Sequence, residues 1–548
     1  MDREANIDSI RALEEEIKEH ERATIKLKRA RNSLLNVSKF PPEVLGSIFR
    51  WNVILRGDFG GLGEGSHNFL FVCHHWLEVA SRTPELWSFW GNAPKDWARW
   101  YRRSATAPLD LVLGGYGYDE RYFDTTLRDV LKDRATKDTI RRVHLTAAGT
   151  GLVKSILDSL TLEREEIRSN GIESFVLFNQ SKASVDVSDF LAHYRFPKLE
   201  RLSLNNCAIS SWDHLTSRTS ALTTLELDFT RLPPAPSPTP SPPLPPTPPI
   251  SQLLSILSSN PALRKITLLG RAVPDGGDGK ESHPRVQLHH LKELRLNGSF
   301  RGVFNILHQL DHPANMDLLS LTLHDCHDAD ISQIVGPYLR DHLQRRDRSQ
   351  NGLHLFASSG YRTYHVPHIA LGVGNAGRTN YSDLAQMKIG MFVSVTMLLN
   401  GISRNAREKA VLDLVACTPR EEVIYAKAHN NPIATEDTCA QFSNVKALSF
   451  DSVPLSAAFP SSNLAGDEIF PSLEYLQLER VDDDDWSPLL TFLANRVSSG
   501  NRLDALVIRD SPNMPSGDAA RIRGMVRELE HCQQTMLSRL LDGGPDQF

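Results

Sequence analysis

One pattern constrains this chain more than any other: a short apolar signature, L-x-x-L-x-L or a close variant, that returns nine times. It occurs as Ile172-x-x-Phe175-x-Leu177, Leu199-x-x-Leu202-x-Leu204, Leu222-x-x-Leu225-x-Leu227, Leu263-x-x-Ile266-x-Leu268 and Leu291-x-x-Leu294-x-Leu296. It continues as Leu318-x-x-Leu321-x-Leu323, Val445-x-x-Leu448-x-Phe450, Leu473-x-x-Leu476-x-Leu478 and Leu503-x-x-Leu506-x-Ile508. Most neighbours lie between 23 and 32 residues apart. The segments Phe196-Pro-Lys-Leu-Glu-Arg-Leu-Ser-Leu and Phe470-Pro-Ser-Leu-Glu-Tyr-Leu-Gln-Leu, 274 residues apart, are near copies. Alternating apolar residues form a strand with one buried face, and the fixed period makes each strand one unit of a stack. The 548 residues therefore predict a long repeat array of the α/β class. Helices over Leu152 to Leu160, Ile250 to Ser258, Val303 to Leu310 and Leu489 to Val497 are expected to cover its strands. Between 324 and 444 the repeat is hard to read, so an interruption is expected there.

The array has one evident insertion. From residue 233 to 249, 11 of 17 residues are proline, which excludes a helix or a central strand. Removing these 17 residues from the 41 between Leu222 and Leu263 restores a repeat-like 24, so the stretch reads as an insertion within the array. A surface loop is preferred over a ligand for aromatic-grooved modules.

The first hundred residues differ. Six of the eight tryptophans (Trp51, Trp76, Trp87, Trp90, Trp97, Trp100) fall within 50 residues. Residues 8–35 read as one helix, free of Pro and Gly, with Ile10, Leu13, Ile17, Leu27 and Leu34 near a coiled-coil seam and His20, Thr24 and Arg31 interrupting it. Pro41-Pro42 stops it and opens a second helix carrying two apolar stripes: Val44, Ile48, Trp51, Leu55 and Leu45, Phe49, Val53. Burial on two sides is expected. A glycine-rich loop over residues 57–66 follows, then a helix with Val72, Cys73, Trp76 and Ala80, and a short third helix over Glu85 to Trp90. A unit this small normally needs a staple or a partner. With six sparse cysteines there is no disulfide framework, so its surplus apolar surface points to a partner protein.

Other chemistry is absent. There is no phosphate-cradling G-x-x-x-x-G-K-[ST], no C-x-x-C, no H-E-x-x-H and no nucleophile elbow, so no catalytic residue, metal site or cofactor is expected. Adjacent His74-His75 and His289-His290 read as surface or packing residues, and Asp482 to Asp485 as a solvated acidic run before a helix. A net charge of −5 gives no general reason to expect nucleic acid. No apolar run is long enough for a membrane span, and the charged N-terminus is not a secretory signal, which suggests the cytoplasm or nucleus.

The segment Phe40-Pro41-Pro42-Glu43-Val44-Leu45, with Ile48-Phe49, Val72-Cys73-x-x-Trp76-x-x-Val79-Ala80 and Pro84-x-Leu86-Trp87, resembles an F-box. It departs from the pattern in its long glycine-rich loop and in Phe40, where the family commonly has Leu. Followed by the repeats, it is similar to the large fungal F-box family with degenerate leucine-rich repeats. Cys207 and Cys326, three residues past their last leucine, match the Asn/Cys turn position of such repeats. The resemblance implies an α/β fold, a small N-terminal three-helix F-box followed by a leucine-rich-repeat solenoid. It implies residues 1–37 as an N-terminal helix, 38–92 as the F-box, 93–135 as a linker helix and first strand, 136–530 as the repeat domain and 531–548 as a tail. It further implies a substrate-recognition subunit of a Skp–cullin–F-box ubiquitin ligase. The F-box would bind a Skp-family adaptor, and through it cullin and a RING subunit, while the repeats hold an unknown protein substrate. On this reading Pro41, Pro42, Glu43, Val44, Leu45, Ile48, Val72, Cys73 and Trp76 are the adaptor-binding residues, and Phe49, Leu86 and Trp87 are at least as well suited to the core. The alternative is a non-catalytic interaction scaffold with no role in ubiquitin transfer.

Overall fold

The computed structural model describes residues 2–35, 39–57, 68–90, 97–104, 107–114, 125–136, 139–147, 150–161, 168–169, 171–181, 184–230, 247–274, 284–313, 315–326, 331–345, 353–361, 367–375, 391–398, 423–429, 443–459, 470–481, 486–511 and 514–532. It divides into two units, Met1–Pro246 and Thr247–Phe548. The division falls in the proline-rich stretch that the repeat spacing places inside one array. Residues 231–246, the glycine-rich loop from 58 onward and Asp482 to Asp485 lie outside the described residues.

Unit 1 begins with helices α1 (Asp2–Ser33), α2 (Pro42–Gly57), α3 (His74–Ser81) and α4 (Pro84–Trp87). Helix α4 ends at Trp87, short of the span Glu85 to Trp90 that the sequence predicts. Phe89–Trp90 are extended and form β1, which pairs in parallel with β2 (Leu109–Gly114). The helical module thus runs directly into a sheet, and β2 is its second strand, not its first. Parallel pairing continues through β3 (Ile140–Ala147), β4 (Ser174–Asn179), β5 (Arg201–Asn205) and β6 (Thr224–Phe229), in chain order. Parallel neighbours need a crossover between them, and helices such as Thr150–Leu160 supply it. The signature leucines face these helices: Phe175, Leu177, Leu202, Leu204, Leu225 and Leu227 are completely buried. The alternating partners, such as Ser174, Val176 and Phe178, remain partly open on the other face.

Unit 2 holds β7 (Lys265–Gly270), β8 (Glu293–Ser299) and β9 (Leu318–His324), again parallel and sequential. Helices Ile250–Ser258, Phe300–Gln309 and, later, Ser487–Ser498 lie where the sequence places them. In β9 the register differs from the sequence pattern by two residues. Leu319 and Leu321 pair with Leu294 and Leu296, so the unit reads Met316-x-x-Leu319-x-Leu321, with all three side chains fully buried.

The stretch that is hard to read carries strands in reversed spatial order. β10 (Leu353–Tyr361), β11 (Pro367–Asn375) and β12 (Met391–Leu398) form an antiparallel meander. Its last strand, β12, pairs with β9, and its first, β10, pairs with β13 (Val423–His429). Parallel order then resumes through β14 (Ala447–Asp451), β15 (Tyr475–Glu479), β16 (Ala505–Arg509) and β17 (Glu528–Cys532), two residues past the expected end of the repeats. Here the sheet is covered on both faces: all five residues of β14 are buried, and Tyr425, Ala447, Tyr475 and Val507 cluster on the face away from the helices.

A repeated turn closes the strands. Asn206, Gly270, Asp325, Ser452, Arg480 and Asp510 end or directly follow a strand and have φ between 51° and 63°. Asn and Asp tolerate this left-handed geometry because their short side chains bond locally. Asn206 donates from Nδ2 to the carbonyl oxygens of Asn179 (3.3 Å) and Ser181 (2.6 Å), tying its turn to the preceding unit. Arg480 instead reaches back to the buried carboxylate of Asp451, with Nε at 2.8 Å from Oδ1. Cys207 and Cys326 follow two of these turns and are buried, and the Cys207 thiol donates to the Asn205 carbonyl at 3.3 Å. Burial raises the Cys207 pKa, so the thiol stays protonated, as befits a structural residue.

Candidate partner-docking site

The N-terminal module packs around an aromatic centre. On α2, Leu45, Phe49 and Val53 recur every four residues and point inward. Phe49 stacks on Phe69 with ring centres 4.6 Å apart and lies 5.0 Å from the Trp76 ring. Phe69 comes from a single 3₁₀ turn, Asn68–Phe71, which leads into α3. Val79, Ala80, Leu86 and Trp87 complete the core. The Trp87 indole N–H donates to the Ala80 carbonyl at 2.7 Å, so its polar atom is satisfied inside. The Arg103 guanidinium stands 4.2 Å above the Trp87 ring, fastening the module to helix Trp97–Ser104, designated α5.

Pro41 and Pro42 start α2 without spending a helical donor. The Pro41 carbonyl accepts from the Val44 and Leu45 amides at 3.0 and 3.1 Å, and Glu43 sits in the first turn, where the helix dipole favours negative charge. Cys73 caps α3 through its extended backbone, its carbonyl accepting from the Leu77 amide at 3.1 Å.

The two stripes of α2 have opposite fates. Leu45 is 1% exposed, so it is a core residue and not a contact residue as the resemblance implied: one turn before Phe49, it shares that inward face. Trp76 is half-buried against Phe49 and serves packing first. The other stripe stays in solvent: Val44 and Ile48 are nearly half exposed, and Trp51 is 63% exposed. Pro41, Pro42 and Glu43 are exposed beside it, Val72 is exposed and Cys73 partly so. Thus α2 is buried on one side, not two. The structure adds Phe71, at 84% the most exposed large apolar side chain among the described residues, and Phe40. The exposure of Phe71 is not legible in the sequence because the continuous apolar run Phe69 to Val72 has no periodicity to tell a buried position from an open one. A separate groove between α2, α3 and α4 mixes apolar Pro42, Val79 and Pro84 with charged Glu43, Arg50 and Glu85, and has the Arg82–Glu78 ion pair at 2.8 Å on its rim. Among the described residues no three His, Cys, Asp or Glu side chains gather to hold a metal ion, and no helix is long and apolar enough to cross a membrane.

No family model matches this chain, and no curated protein matches it.

Proposed function

We propose that the module over residues 39–90 is an F-box that docks on a Skp-family adaptor, making the chain the substrate receptor of a Skp–cullin–F-box ubiquitin ligase. The observation that carries this reading is the exposed apolar set Val44, Ile48 and Trp51 on α2, joined by Phe71 and Val72. A module with its own closed core has no internal use for that second stripe. Tryptophan is among the residues most enriched in binding hot spots, and Trp51 is the most exposed member of that stripe among the described residues. Pro41, Pro42, Glu43, Val44, Ile48, Val72 and Cys73 supply the contacts, with Trp51 and Phe71 added and Leu45 and Trp76 supporting from behind.

We read the strands of each unit as a degenerate leucine-rich-repeat array, from the parallel pairing, the buried leucine face and the recurrent left-handed turn. A protein substrate would be held on the open strand face of unit 1, since the corresponding face around Tyr425 and Tyr475 is covered. The chain would do no covalent chemistry. It would raise the effective concentration of substrate lysines at the transfer site. Cullin and the RING subunit would join only through the adaptor.

Co-purification with a Skp-family adaptor tests this. Wild type is expected to hold the adaptor and Ile48→Asp to lose it with the helical signal unchanged. A folded wild type that binds no such adaptor overturns the reading. The scaffold alternative shares the docking but not the delivery. Proteins that accumulate in cells expressing Ile48→Asp support the receptor, and an unchanged proteome supports the scaffold.

A further inference from the structure

Helix α1 stands clear of the module it leads into. Every described side chain from Ile7 to Arg31 is exposed, and only the C-terminal end approaches α3, where Arg29, Asn32 and Ser33 line a small cleft with Cys73 and His74. A helix of 32 residues with an apolar seam in water gains little from propensity alone and calls for a partner along its length. The seam is Ile10, Leu13, Ile17, Leu27 and Leu34, all exposed.

The charges say what that partner is. Residues 2–20 carry seven acidic and three basic side chains, whereas residues 21–33 carry one acidic and five basic. Among the described side chains few are used within the helix. Arg11 pairs with Asp8, Lys18 with Glu15 and His20 with Glu16, at 3.5–3.9 Å. Among the described residues, Glu14 in the acidic half and Glu21, Arg22, Lys26, Lys28 and Arg29 in the basic half make no ion pair. The helix is therefore complementary to its own reverse. Two copies side by side and parallel would set Arg31 against Arg31 in the seam and Glu16 beside Glu21. Two antiparallel copies bring the acidic half against the basic half. With Ile10 opposite Leu34, Ile17 meets Leu27, Leu13 meets the aliphatic stem of Arg31, and Glu14 lies beside Lys28. His20 and Thr24 then face each other at the centre, a polar layer that fixes the register. The midpoint Glu21 pair is the one repulsive contact.

We propose that α1 pairs with α1 of a second copy of this chain as an antiparallel two-helix coiled coil. Self-association through α1 does not depend on the adaptor reading. At 1.5 Å per residue the 32-residue helix spans about 48 Å, so the dimer carries its two docking modules at opposite ends of a rod of roughly that length.

Light scattering on the purified full chain over a range of concentration and salt tests the proposal. The expected mass is twice 61.3 kDa, falling toward one copy as salt screens the charges. Glu14→Lys and Lys28→Glu should each weaken the dimer by about tenfold or more, because each turns two attractive contacts repulsive. An equimolar mixture of the two variants should restore it. Ile17→Asp should give monomer without touching either charge, and circular dichroism confirms that each variant keeps its helix content. A wild-type chain that stays monomeric up to about 100 µM overturns the proposal. So does a mixture that associates no better than either variant alone, since only the antiparallel arrangement places residues 14 and 28 side by side.

Discussion

Phe49 and Ile48 are neighbours in sequence, one turned into the core and the other into solvent, and replacing each by alanine separates core from contact surface. Phe49 is almost fully buried, stacked at 4.6 Å on Phe69 and in contact with Trp76. Removing its ring opens a cavity between α2, the 3₁₀ turn and α3, and such truncations cost about 3–5 kcal/mol. A module of some fifty residues has little stability beyond that, so Phe49→Ala should unfold it locally. Ile48 is 47% exposed, and alanine is the better helix former, so Ile48→Ala should change stability by less than about 0.5 kcal/mol. Limited proteolysis between residues 39 and 90, with adaptor capture on the same samples, reads both effects. Phe49→Ala should be cleaved rapidly and lose the adaptor. Ile48→Ala should resist cleavage like wild type yet bind more weakly. Equal protease sensitivity of the two variants would refute the assignment of the two stripes.

Three further outcomes follow from the sheets. Asn206→Ala loses two side-chain hydrogen bonds and strains a residue at φ 53°, for about 2–3 kcal/mol in chemical denaturation, whereas Asn206→Gly loses only the bonds and should fall midway. Arg480→Met leaves the buried Asp451 carboxylate without its guanidinium partner and should cost about 1–3 kcal/mol, more than Arg527→Met, which breaks an exposed pair to Asp504. Burial lowers the pKa of His312, which also meets the Tyr338 hydroxyl at 3.0 Å, and burial lowers that of His324. A folded-state pKa below the unfolded value means that the unfolded chain takes up the proton first. Their contribution to stability is therefore full above about pH 6.5 and is lost as pH falls from there through the folded pKa values, and His312→Gln should flatten that slope in thermal melts at pH 5–8.

How far the chain can be read depends on whether a feature is periodic. The leucine signature named its buried face correctly because alternation and burial are one statement in a strand, and Leu202, Leu204, Leu225 and Leu227 all lie inside. A further match beyond those nine, Ile140-x-x-Val143-x-Leu145, is β3. At β9 the pattern was ambiguous because Leu318, Leu319, Leu321 and Leu323 offer two registers, and pairing with Leu294 and Leu296 decides between them. The docking module shows the same division. Proline spacing and apolar content marked Pro41, Pro42 and the two stripes of α2, but two apolar stripes look alike in sequence, and the partners that claim one of them, Phe69, Val79 and Trp87, lie 20 or more residues away from Phe49.

By itself the sequence determined the class, parallel strands with helical crossovers behind a small helical module, because hydrophobic period and proline position act locally. Only the tertiary structure decided that Phe89–Trp90 leave the module to become the first strand of the sheet, that β10 to β12 insert in reverse order, and that Leu45 is core while Ile48 is surface. Each of these is settled by which distant segment covers a given face, a contact whose free energy no local pattern encodes.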